Sequence, residues 1–359
     1  MGNFRLFRFE CKKQLSSLTF LIILAIFTVF AVSQLTEVFH MPVKSEQDIH
    51  ALEKSGERDY IFVENSEDEL ISLSVKFLEQ RIGDASIPQN MAGKFDIVFE
   101  MFDSRKYNFD DVLLIMQDNE DIFPWLTACK AQFAQKLGSV QEVNQMILSA
   151  FGDTGYSSKL YEKYVTYMQA IAALIIFPIF LFLLIRDYRH GMHEIVYAQP
   201  IHSSKYIILR YLGAFIPLML YLYGLGLILN LISVVRIVSM GYTYQYTVFL
   251  PYFLVYLLPT VFFLSSLIMV LMLLFKKVTA AFPLYIIFVI LNVTPGVFGS
   301  NGDWIREISP IIRLDGITGN MQQIIINRIV YLLLSIIFLV AACKIYKQLK
   351  NDLRKGITI

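Results

Sequence analysis

Residues 186–211, RDYRHGMHEIVYAQPIHSSKYIILRY, gather most of the side chains that could do chemistry. His190, His193 and His202 are of metal-ligating type, and His193-Glu194 begins the H-E-x-x-H zinc-protease pattern. Tyr197 stands where the second histidine is required, so that pattern fails. No G-x-x-x-x-G-K-[ST] occurs, and Gly93-Lys94 is followed by Phe95, so the chain offers no P-loop for nucleotide hydrolysis. A G-x-S-x-G nucleophile elbow is also missing. Cys11, Cys129 and Cys343 lie far apart, without a CxxC, and fit neither a disulfide framework nor a cysteine zinc site. The expectation is therefore no catalytic, cofactor-binding or metal residue in this chain. What 186–211 retains is contact chemistry. Gly191 can open a short helix carrying Glu194, with Ile195 and Val196 as apolar anchors, and Pro200 ends it. A short helix with one polar and one apolar side suits docking into a groove on a partner.

The elements around that loop are written in hydropathy. The 359 residues are 56% hydrophobic and only 17% charged, against roughly 45–50% and about 25% in an average soluble domain. Six runs approach the roughly 20 apolar residues that a membrane helix needs. They are 18–35, 164–185, 206–235, 248–275, 278–297 and 324–343. Ala31-Val32-Ser33 resembles a signal-peptide cleavage site, but the preceding apolar run is longer than an h-region. Before the first run, Arg5, Arg8, Lys12 and Lys13 ring the polar side of an amphipathic segment, 1–17, expected to lie along the inner interface. Basic residues also flank the 186–205 loop, the Lys276-Lys277 turn and the 344–359 tail, alternating sides as the positive-inside rule requires. Both termini are then cytoplasmic, in a multi-pass protein of the plasma membrane. Segments 36–163, 236–247 and 298–323 face outward.

The formal net charge of +1 hides two opposite halves. Residues 37–163 carry 12 basic and 23 acidic side chains, a balance of −11, while the remainder has 19 and 7, a balance of +12. The neutral total argues against a nucleic-acid binder. Segment 36–163 reads as a mainly helical extracellular domain. Asn65-Ser66-Glu67-Asp68-Glu69 is an acidic, capped helix start, Asp110–Met116 begins another helix, and Ser139-x-x-Glu142 is a capping box. Gly152-Asp153-Thr154-Gly155 interrupts the last helix before Tyr156 runs on into the second span.

The spans are nearly free of Asp and Glu, which disfavours transport driven by an ion gradient. Arg210 and Arg328 sit near span ends, where both are expected to anchor at the interface. Pro178, Pro217, Pro251, Pro259, Pro283 and Pro295 interrupt apolar runs, where kinks are tolerated if neighbours satisfy the freed backbone.

Asp187, Gly191, Glu194 and Pro200 resemble, in order and spacing, the cytoplasmic loop of the ABC-2 family of ABC transporter permeases: an acidic residue, G-x-x-E, then Pro six residues on. Ile201, His202-Ser203-Ser204 and Tyr206 continue the similarity. His193 departs from a common aliphatic residue, and His202 from a common Ser or Thr. The topology, from interfacial helix to basic tail, extends the resemblance over nearly the whole chain. It implies an all-α integral membrane protein with six transmembrane helices and a helical domain inserted between the first two. It also implies a subunit of an ATP-driven exporter, pairing with a second permease subunit, while ATP and Mg sit on a separate ATP-binding subunit. The 186–205 loop would couple to that subunit, with Asp187, Arg189, Gly191, Glu194 and Pro200 as contact residues. From the residues alone, a membrane-anchored sensor with an outer ligand-binding domain is the alternative.

Overall fold

The computed structural model describes residues 3–56, 60–84, 86–151, 156–189, 202–240, 244, 248–293, 309–311 and 321–354. The chain is a helical, multi-pass membrane protein, and its contacts divide it into two compact units. One comprises Met1–Phe39 with Asp153–Ile359, and the other is His40–Gly152.

In the membrane unit, α1 (Asn3–Leu15) is followed by α2 (Leu18–Gln34) after a bend of 64°. A short turn, α3 (Glu37–His40), ends the N-terminal part. Four helical stretches are long and apolar enough to cross a bilayer: Tyr156–Leu184, Ser203–Ser239, Phe249–Phe275 and Gln322–Asp352. The bent α1–α2 pair makes five if taken as one span. The helix Val278–Val293 has 16 residues, about 24 Å at 1.5 Å per residue, short of the roughly 30 Å hydrocarbon core. Residues 294–297, which the sequence reading added to it, lie outside the described residues. The described helices thus support four to five spans where six were expected.

Proline shapes two of these spans. The 156–184 stretch breaks at Ile176 between helices Tyr156–Ile175 and Phe177–Arg189, because Pro178 has no N–H for the carbonyl one turn back. Within Phe249–Phe275, residues Phe253–Leu257 widen into a π-helical turn just before Pro259. A ring that cannot continue the ladder is a recognised cause of such widening. Pro217 is accommodated inside the helix Ser203–Ser239.

Small residues set the closest approaches. A Cβ on Gly213 would lie 2.6 Å from Glu10 Cβ, so α1 packs directly against Ser203–Ser239 at this point. A Cβ on Gly226 would meet the Phe249 ring at 2.2 Å. That ring stacks on Tyr223 at 5.2 Å and contacts Tyr161 at 4.9 Å. Tyr221 donates to the Leu24 carbonyl at 2.7 Å and meets the Thr28 hydroxyl, joining α2 to the same helix. Lys163 pairs with Glu37 at 2.7 Å, and Arg236 donates to the Phe39 carbonyl at 2.7 Å, which ties down the α3 turn.

The His40–Gly152 unit lies inside the 36–163 domain read from composition. It is narrower because Glu37 and Tyr156–Lys163 belong to the membrane unit. Ser66 and Glu69 form the expected capping box at the start of the helix Glu67–Gly83, and Asn108 and Asp111 form another before Phe109–Ile115. Ser139 and Glu142 exchange hydrogen bonds in the same way before Val140–Phe151. Leu78, Phe95, Val98, Val112 and Leu126 make the core. Two strands absent from the sequence reading, Phe62–Glu64 and Gln135–Leu137, pair antiparallel with Val63 opposite Lys136. Asn144 takes the Val43 N–H at 2.9 Å and gives an N–H to its carbonyl at 2.7 Å.

Candidate functional site

Two regions bear on function: the 186–205 loop and the polar interior of the membrane unit. Helix Phe177–Arg189 runs four residues into the 186–205 segment read as a loop, so Asp187 and Arg189 lie in its final turn. Their side chains are outside the described residues, as are Gly191, Glu194 and Pro200 altogether. The short helix expected over Gly191–Pro200 therefore falls outside them too. His202 precedes the next helix in extended backbone without a side-chain capping bond, and Ser203 begins it. Residues 190–201 are thus bounded on both sides by apolar spanning helices, with their attachment points within one unit.

The interior holds a cluster that the sequence reading did not assemble. Arg328 is 3% exposed, which corrects the expectation of an interfacial anchor. Its guanidinium gives N–H bonds to Thr260 Oγ1 at 2.9 Å, to the Pro310 carbonyl at 3.0 Å and to the Ser309 carbonyl at 3.3 Å. A longer contact reaches the Tyr256 carbonyl at 3.5 Å. That carbonyl belongs to the π-helical turn, where the regular ladder is interrupted. Thr260 has one hydroxyl proton and three acceptors within reach: Pro310 O at 2.6 Å, Gln169 Oε1 at 2.9 Å and Tyr256 O at 3.0 Å. Gln169 and Thr260 each lie near the middle of their spans, Tyr156–Leu184 and Phe249–Phe275. The cluster therefore sits deep in the bundle.

Arg328 is positioned by the approach of three elements. Irregular backbone at such depth is tolerated only where protein satisfies its polar groups. The guanidinium does this for Ser309 and Pro310, and Ser309 Oγ accepts the Ile311 N–H at 3.0 Å. Ser309 and Ile311 are themselves buried, so this stretch of the 298–323 segment packs against the bundle. No carboxylate pairs with Arg328 among the described residues. Among the described residues the positive charge is held by neutral oxygens alone. Such a charge is unfavourable in an apolar medium and marks a candidate functional position.

Arg210 is a second buried arginine. It is 2% exposed, and its guanidinium lies 5.3 Å from the Tyr206 ring centroid and bonds to the Tyr206 hydroxyl. The signal missed in both cases was polar but neutral. A search of the spans for carboxylates passes over Gln169, Thr260 and the tyrosines, which make most of the interior hydrogen bonds.

Other chemistry is sparse. Among the described residues no three His, Cys, Asp or Glu side chains come together as a metal site. Cys129 is buried in the polar unit, where desolvation pushes its thiol up to about 11, so it stays a protonated, weak nucleophile near neutral pH. No family model, curated protein or solved structure matches this chain.

Proposed function

We propose that the chain is the transmembrane permease subunit of an ATP-driven ABC transporter of the ABC-2 type. In this reading it exports a peptide, antibiotic or other amphipathic compound across the plasma membrane. The observation that carries the reading is the spacing Asp187…Gly191-x-x-Glu194…Pro200, in a loop joining two membrane-spanning helices of a chain that lacks a P-loop. Energy must then come from a partner. A separate ATP-binding subunit, carrying ATP and Mg, docks on the 186–205 loop, and a second permease subunit completes the pathway. Asp187, Arg189 and Glu194 supply polar contacts, Gly191 opens the docking helix and Pro200 closes it. Six spans, with Leu18–Leu35 and Val278–Val297 among them, leave both termini in the cytoplasm and His40–Gly152 outside, in accord with the sided distribution of basic residues.

The test is purification of the chain from native membranes under mild conditions. A P-loop ATPase is expected to come with it, and Glu194→Ala is expected to change ATP turnover of the pair while leaving the chain folded. Absence of any ATPase, with turnover indifferent to loop substitutions, would sink the reading. One observation favours the sensor alternative: His40–Gly152 has a hydrophobic core of its own. That reading expects a ligand bound by this unit and a loop partner without a nucleotide site.

A further inference from the structure

Past Cys343 the last helix leaves its apolar run but keeps a buried side. Residues 344–354 continue the helix Met321–Arg354. Cys343, Tyr346 and Leu349, each one turn from the next, are buried along it, while Lys344, Lys347 and Gln348 are exposed. Two of the buried residues meet the start of helix Ser203–Ser239, where residues 190–201 rejoin a spanning helix. The Tyr346 ring stacks on Tyr206, with centroids 5.4 Å apart and planes inclined by 20°. The Cys343 thiol donates a long contact to the Ser204 carbonyl at 3.9 Å. The Tyr206 ring also has the Arg210 guanidinium 5.3 Å from its centroid. His202 adds no side-chain capping bond at this helix start.

We propose that the C-terminal end of helix Met321–Arg354 positions the docking loop, with Tyr346 as the positioning residue. This rests on the reading that the 186–205 loop docks an ATP-binding subunit. A binding segment keeps its geometry only where its supports are locked by packing. On this side of the loop the support is tertiary. Tyr206 lies in the first turn after the loop, and its ring is held by a ring from another helix. Aromatic pairs prefer particular offsets and inclinations, so the stack sets the direction in which the chain leaves the loop as well as its place. The Cys343 contact to Ser204 adds a second point on the same turn, and two points fix an orientation where one allows rotation. The basic residues of 344–359 mark a tail at the membrane edge, but the burial of Tyr346 and Leu349 makes the described part of that tail a buttress.

The experiment compares three variants of the full chain with the unaltered one. Tyr346→Leu keeps apolar bulk but removes the ring, Tyr346→Phe keeps the ring, and Lys347→Ala alters an exposed neighbour. The first readout is the chain alone in detergent, with Cys11 and Cys129 replaced by serine and the rate of maleimide labelling of Cys343 measured. The second is the amount of P-loop ATPase retained on each chain purified from native membranes. Tyr346→Leu is expected to speed labelling of Cys343 and to weaken ATPase retention, each about fivefold, the scale of one aromatic pair. Tyr346→Phe should restore both, and Lys347→Ala should change neither. Faster labelling with undiminished ATPase retention would overturn the proposal, because the helix end would then let go without consequence for the loop. Unchanged labelling, failure of Tyr346→Phe to restore retention, or equal weakening by Lys347→Ala would overturn it as well. If the unaltered chain retains no ATPase, the docking reading itself fails and takes the proposal with it, an outcome the unaltered chain alone decides.

Discussion

In the His40–Gly152 unit, charged side chains line the surface and the helix starts, and Leu78, Phe95 and Leu126 fill the interior. In the membrane unit the outward faces are apolar, with Leu220, Ile228, Ile329 and Leu333 exposed, while Gln169, Thr260 and Arg328 turn inward. The same alphabet is sorted by two solvents. Water favours a capped helix and a buried leucine. Lipid does not distinguish leucine outside from leucine inside, so packing at small residues and interior hydrogen bonds decide how the helices meet.

The comparison can be broken most severely at Arg328. Arg328→Ala strips partners from the Ser309 and Pro310 carbonyls and from Thr260 deep in the bundle. A loss of about 3 kcal/mol is expected, against less than about 0.5 kcal/mol for the exposed Lys347→Ala on the same helix. Thermal unfolding of the purified chain in detergent measures both, and equal losses would remove the interior cluster from the account. Next is Gly226→Leu, which drives a side chain into the Phe249 ring and should cost about 2 kcal/mol by overpacking. Activity and melting temperature are expected to fall together.

The remaining effects, equal to that one or smaller, belong to the polar unit. Asn144→Ala leaves both main-chain groups of Val43 without their partner, for an expected loss of about 2 kcal/mol, read by local hydrogen exchange. Ser66→Ala removes a helix cap, with an expected loss of about 1 kcal/mol. The smallest effect is a pH dependence. Glu69 is held below the usual 4.5 first by its bond to Lys136 and then by the Ser66 N–H. For Glu142, the leading cause of the same lowering is the Ser139 N–H. A depressed carboxylate adds stability above its unfolded value and loses it as pH falls through the lowered folded value. Amides at the starts of Glu67–Gly83 and Val140–Phe151 should therefore exchange faster at about pH 3 than intrinsic rates predict. Unchanged protection there would show that the caps carry no charge-dependent stability.

Legibility in the sequence follows the same division. The helix starts at Ser66 and Ser139 are readable because a cap is an exchange of hydrogen bonds between neighbours in the chain. The span cores are readable from hydropathy, but their ends are not. The last helix, expected over 324–343, runs Met321–Arg354, because Lys and Arg are good helix formers that extend a span into water without breaking it. The strand pair Phe62–Glu64 and Gln135–Leu137 is too short for an alternation signal. Arg328 is misplaced by sequence because its distance from the end of an apolar run says nothing about the return of Ser309–Ile311 beside it. That depth is a tertiary fact. For the 186–205 loop the reading rests on residue types and spacing, and Gly191, Glu194 and Pro200 lie outside the described residues.

The proposed docking of an ATP-binding subunit on that loop is tested most directly by a crosslink from position 194. The chain would carry Glu194→Cys, with Cys11, Cys129 and Cys343 replaced by serine, and a photoactivatable reagent on the new thiol in intact membranes. Capture of a polypeptide whose own sequence contains G-x-x-x-x-G-K-[ST], enhanced or lost on adding ATP, is the expected result. Labelling of the introduced thiol by a membrane-impermeant reagent from outside the cell, or capture only of polypeptides without a P-loop, would contradict it.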